Sequence, residues 1–166
     1  MQNIDIALIV LAAASLTMLF IMWSDIRQFR IPNIATALLL ILGIIFGFVT
    51  NNFDWLSHAS AALILFIICF ALFHYGLLGG GDTKLIPVVG FWVGFAYLLP
   101  FLLIMTGAGA VLGIVVAVFS AIRTRKLSAD AENKTAWRKK AMPYGVAIGF
   151  ASLVFFIKTA YELLGL

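Results

Sequence analysis

Apolar residues run in long blocks along this chain, and the polar positions fall between the blocks rather than alternating within them. The first block covers residues 6–23, the second 34–49 and the third 58–75, with the polar tip TNNFDW between the second and third. From 85 to 122 the chain is apolar almost without interruption. At 1.5 Å per residue that stretch is about 57 Å of helix, roughly twice what a bilayer core needs. Pro100 is the expected break, because proline lacks an amide donor and disfavours helix at the residue before it. The last block runs from 143 to 163. A crossing takes about 20 apolar residues, so the pattern predicts an all-α, polytopic bundle of six transmembrane helices with a short fourth.

Composition narrows this to one membrane domain. Of 166 residues, 64% are hydrophobic and 11% charged, and a soluble domain of that length could not hide so much apolar side chain. We read residues 1–166 as a single transmembrane domain surrounded by membrane lipids, with no nucleic-acid partner indicated. The start, MQNID, lacks a basic n-region, and Arg27 and Arg30 lie beyond the first block. That is the pattern of a retained span rather than a signal peptide. Cys69, the one cysteine, allows no internal disulfide and no thiol cluster for zinc, so no metal or other cofactor is expected.

Charge placement tests the span count. Lys and Arg gather in cytoplasmic loops. With six spans, Arg27, Arg30, Lys84 and the run RTRKLSADAENKTAWRKK (123–140) share one face, which holds ten of the eleven basic residues. Only Lys158 is left on the other. Five spans would separate Lys84 from the run. Both termini are therefore predicted outside. The sequon at Asn133 falls in the cytoplasmic loop and reads as accidental. Trp137 and its basic neighbours read as a positive-inside anchor near anionic headgroups. Small residues recur at helical spacing as Gly43/Gly47, Gly90/Gly94, Gly109/Gly113 and Gly145/Gly149, a pattern that lets helices approach closely.

Among the seven acids, Asp5, Asp54 and Glu162 fall near the outer face, and Asp130 and Glu132 lie in the basic loop. Asp25 and Asp82 stand at the cytoplasmic ends of apolar segments. An acid at the edge of a membrane is a functional candidate by default. Two carboxyl groups within a few ångströms cannot easily both ionise, and the pair shares a proton. One can then take a proton from water while the other polarises a carbonyl or protonates a leaving amine. Proton or cation transport is the competing use of such a pair. The glycines of LLGGGDTKL (77–85) allow a partner backbone to approach Asp82, or make a hinge between the third and fourth helices. Ser24, His74 and Asp25 have triad residue types without a nucleophile elbow. His58 and His74 are too scattered for a metal site and read as packing or interfacial residues.

Three segments resemble the type IV prepilin peptidases, membrane aspartic peptidases of the Gly-x-Gly-Asp kind. SDIRQFRIPN (24–33) is similar to that family's first motif, GGGDTKL (79–85) to its second, and MPYGVAIG (142–149) to the Pro-Tyr-Gly segment opening its last helix. The resemblance implies an endopeptidase of the inner (cytoplasmic) membrane, working at the cytoplasmic face, that removes the basic leader from prepilins or pseudopilins. It implies Asp25 and Asp82 as the catalytic pair. Gly79 and Gly81 would shape the second motif, Pro32 and Asn33 would open the second helix, and Lys84 would tune charge near Asp82. Larger bacterial members carry a cysteine zinc domain and N-methylate the new terminus. Here 24–33 is a tight connection, so the likeness is to the compact enzymes of Flp/tight-adherence pili, and methyl transfer is not carried over. The residues alone also leave open a small proton-coupled transporter or channel subunit, and a non-catalytic pilus-assembly protein. Oligomeric state is not readable.

Overall fold

A computed structural model of the chain describes residues 4–51, 53–126 and 144–165. These residues form six α-helices and no strand. They are α1 (Ile4–Gln28), α2 (Asn33–Val49), α3 (Trp55–His74), α4 (Gly80–Val93), α5 (Leu98–Lys126) and α6 (Tyr144–Leu164). Most of the basic run, with Asp130, Glu132, Asn133 and Trp137, lies outside the described residues. Four helices, α1, α3, α5 and α6, are long and apolar enough to cross a membrane; α2 is a shorter apolar helix of 17 residues. Large apolar side chains cover the outside of the bundle, among them Ile34, Leu56, Phe48 and Phe119, as expected of a multi-pass protein whose solvent is lipid.

Helix ends follow local chemistry. Asp54 caps α3, its carboxylate accepting the Ser57 N–H at 3.2 Å. Asp5 in the first turn of α1 and Arg27 in its last both complement the helix dipole. The break in the long apolar stretch is not at Pro100. It lies at residues 94–97, where Gly94 ends α4 with φ +70, a conformation that favours glycine. Pro100 sits in the first turn of α5, where helical amides have no partner to lose.

α4 is the hub. It packs against α2, α3, α5 and α6, while α1 packs against α2 and α6. Nine of its 14 residues are buried, from Thr83 to Val93, as an all-round apolar helix requires. At 14 residues it is about 21 Å long, well short of a bilayer core. Trp92 ties it to α2 by donating its indole N–H to the Leu39 carbonyl at 2.9 Å. Of the small-residue pairs, Gly90 brings α4 within contact of the α3 backbone at the Ala61 carbonyl, as expected, but side-chain accommodation dominates. Several of these glycines leave room for a bulky side chain: Gly43 for Trp92, Gly90 for Leu65, Gly109 for Tyr144 and Gly149 for Met22. His58 is a packing residue, its Nδ1 donating to the Phe91 carbonyl at 2.6 Å and its ring stacked 3.9 Å from that of Phe53.

Candidate active site

The C-terminal end of α1 meets the N-terminal ends of α2 and α4 around a polar cavity of about 270 Å³, and the N-terminal end of α6 bonds to Asp25 beside it. Asp25, Arg30, Ile31, Asn33, Gly79, Asp82 and Lys84 all line it. Segments 24–33 and 79–85, far apart in sequence, thus form one wall. Arg30 and Lys84 share this end of the bundle. Lys158 sits at the other end, over the Tyr97 ring at 3.6 Å and paired with Glu162 at 2.7 Å. The basic residues that can be placed therefore divide as their positions along the chain suggest.

Asp25 is 5% exposed. Its Oδ2 accepts the Gly145 N–H at 2.8 Å. This amide belongs to the first turn of α6, where backbone donors lack helical partners and the dipole favours an anion. Asp25 thereby caps a helix 120 residues away. The approach depends on glycine: a Cβ at Gly145 would lie 2.7 Å from Asp25 Oδ2. α1 ends just beyond this aspartate. Phe29 adopts φ +51, rare for a bulky residue and costing on the order of 1 kcal/mol. The turn is held by the Phe29 N–H on the Asp25 carbonyl at 2.9 Å and the Ser24 hydroxyl on the Arg30 carbonyl at 2.9 Å. The Ser24 hydroxyl is thus occupied structurally, which removes the ground for a Ser24–His74–Asp25 triad.

Asp82 stands in the first turn of α4, whose N-cap is Gly79. Gly79 and Gly81 sit tightly and Gly80 does not. A Cβ at Gly79 would lie 2.9 Å from Asp82 Oδ2, and one at Gly81 3.0 Å from Ile31 Cβ. At Gly80 the nearest atom, on the Phe73 ring, would be at an ordinary 3.4 Å. Asp25 and Asp82 line the same cavity. Among the described residues the one ion pair is Lys158–Glu162. Lys84 instead donates to Asn33 Oδ1 at 3.2 Å, joining α4 to the first turn of α2, whose N-cap is Pro32. Among the described residues no group of three or more His, Cys, Asp or Glu is placed to hold a metal.

Two acids from separate motifs thus line one cavity at a junction of helix ends. The family model described as the type IV leader peptidase family matches residues 11–124, more than half of the chain. The chain belongs to the type IV leader peptidase family. The match contains both acids of this leader peptidase relative and its first two motifs, and stops before 142–149. No curated protein and no solved structure matches the chain.

The residues alone give Phe29 no role and Ser24 only that of a triad type. Tyr144 and Gly145 stand out only through the Pro-Tyr-Gly segment and a small-residue pair, with no link to Asp25. The Pro-Tyr-Gly segment opening α6 was the available clue, since it sets an unpartnered amide row opposite a membrane acid.

Proposed function

We propose that this protein is an aspartic endopeptidase that removes the basic leader of prepilins or pseudopilins, with Asp25 and Asp82 sharing the acid–base work. The observation that supports it most is the meeting of both acids in one polar cavity beside a glycine-bordered backbone. In this reading the bundle spans the inner membrane six times, with both termini outside and the cavity facing the cytoplasm. The family supports peptidase chemistry in general; substrate and orientation are our reading.

The chemistry follows from the pair. One carboxylate takes a proton from water as its oxygen attacks the scissile carbonyl carbon. The other carboxyl, protonated, donates to the carbonyl oxygen. Collapse of the tetrahedral intermediate breaks the C–N bond, and the leaving amine takes a proton from the pair. The Gly145 amide fixes the Asp25 carboxylate so that it need not reorganise during the reaction. Gly79 keeps a side chain away from Asp82, and Gly81 makes room for Ile31, which together leave a substrate backbone access to the acid.

The test is co-expression with a leader-bearing pilin precursor, comparing wild type with Asp25→Asn and Asp82→Asn. Wild type shortens the precursor at the leader junction and both variants leave it intact. Leader removal by either variant at the wild-type rate overturns the assignment. Proton flux that depends on these acids, with no precursor ever cut, would support transport instead.

A further inference from the structure

Beside the polar cavity runs a second, larger hollow that no step above uses. It measures about 640 Å³ and lies between α3 and α5, with α4 as its floor. These two walls flank α4 and do not pack on each other as helices. α3 contributes Leu65, Ile68, Cys69 and Leu72; α5 contributes Leu102, Met105 and Thr106. Both sets recur at three- and four-residue spacing, so each wall is one continuous helical stripe. The α3 stripe covers about 10 Å of helix axis. The hollow ends against Asp82, Gly79 and the Tyr144 ring.

Gly79 and Asp82 line both hollows, while Asp25, Arg30 and Lys84 line only the polar one. The two spaces therefore meet at Asp82, one apolar and one polar. We propose that the groove between α3 and α5 receives the apolar helix of the substrate, so that the bond presented to the acids is the one where apolar helix gives way to polar leader. This rests on the peptidase reading above and adds where specificity resides. A helical occupant fits two parallel apolar stripes over a third helix, the arrangement by which grooves receive amphipathic or apolar helices. Continuity with Asp82 selects the substrate over a lipid chain, because whatever fills the groove abuts the reacting position. The leader then lies on the polar-cavity side of Asp82.

Ile68 is 49% exposed and Thr106 is exposed, so both accept a larger side chain without disturbing the core. The experiment measures kcat and KM for Ile68→Trp and Thr106→Trp in the full-length chain in nanodiscs. It uses two substrates: a pilin precursor, and a soluble peptide with the leader and scissile bond but no apolar segment. For the precursor, kcat/KM falls at least tenfold, mainly through KM, while handling of the short peptide is unchanged. Ile67→Trp and Leu103→Trp, at exposed positions not lining the groove, leave both substrates unaffected. As a second measurement, a benzophenone side chain at position 106 of an Asp82→Asn chain crosslinks to the precursor's apolar segment, and one at 103 does not. Wild-type kinetics in the groove variants, or equal crosslinking from 103 and 106, overturns the groove and leaves the peptidase standing. A wild-type chain that cuts no precursor overturns the peptidase reading and the groove with it.

Discussion

Replacing Gly145 by alanine tests how far Asp25 depends on the first turn of α6. The added Cβ would sit 2.7 Å from Asp25 Oδ2 and 3.1 Å from its Cγ. Ordinary contact begins near 3.4 Å, so the carboxylate must retreat by about 0.7 Å. Retreat lengthens or breaks the 2.8 Å bond from the Gly145 amide. Hydrogen bonds to a charged group contribute about 1.5–3 kcal/mol, and a misplacement of about 1 Å lowers catalysis by about 100-fold. We therefore expect kcat to fall about 10- to 100-fold with KM little changed. Thermal stability should fall only modestly, by about 0.5–2 kcal/mol, because the better helix propensity of alanine, about 1 kcal/mol, partly offsets the weakened bond. Gly107→Ala is the control. A Cβ there meets nothing within 4 Å, so its activity stays within a few-fold of wild type. Precursor cleavage by purified protein gives the rates, and intrinsic-fluorescence melting gives the stability. Full activity in Gly145→Ala, or equal losses in both variants, would refute the reasoning.

Other changes separate neighbouring roles. Asp25→Asn and Asp82→Asn should each lower cleavage on the order of 10³-fold, and the double variant should be no worse than either, since residues acting as a unit are not additive; an additive loss in single-turnover assays would argue against a shared acid–base pair. Gly79→Ala and Gly81→Ala should lose activity at least tenfold, whereas Gly80→Ala stays near wild type, because only the first two glycines are crowded, by Asp82 and Ile31. Equal effects at all three would point to a hinge. Trp92→Phe removes the buried bond to Leu39 and should destabilise the fold by about 1–2 kcal/mol in reversible denaturation, with kcat unchanged.

How much of this was legible beforehand varies with the physics involved. α1, α2, α3 and α6 were readable because apolar blocks stop at polar clusters, and their ends fall within a few residues of the expected ones. The α4–α5 boundary was not, because an apolar run carries no internal marker of where a helix turns back. Pro100 looked like the marker, yet proline is harmless in a first turn; Gly94, able to take a left-handed cap, was the better sign. The acids were legible as polar positions at the ends of apolar blocks. Their meeting was not, since it depends on α4 lying at the centre of the bundle. The role of Gly145 was hidden for the same reason, being defined by a partner 120 residues away.

The shortness of α4 has a consequence for the supply of the other reactant. A helix of about 21 Å facing lipid would be mismatched to a hydrocarbon layer of about 30 Å and would thin it. α4 does not face lipid, because α2, α3, α5 and α6 surround it. Beyond its N-terminal end lies the polar cavity instead, lined by Asp82 and by polar groups from the starts of α2 and α4 and the end of α1. Hydrolysis consumes one water per bond cut, and the bilayer offers none. In this fold the deficit of helix is what makes room for it.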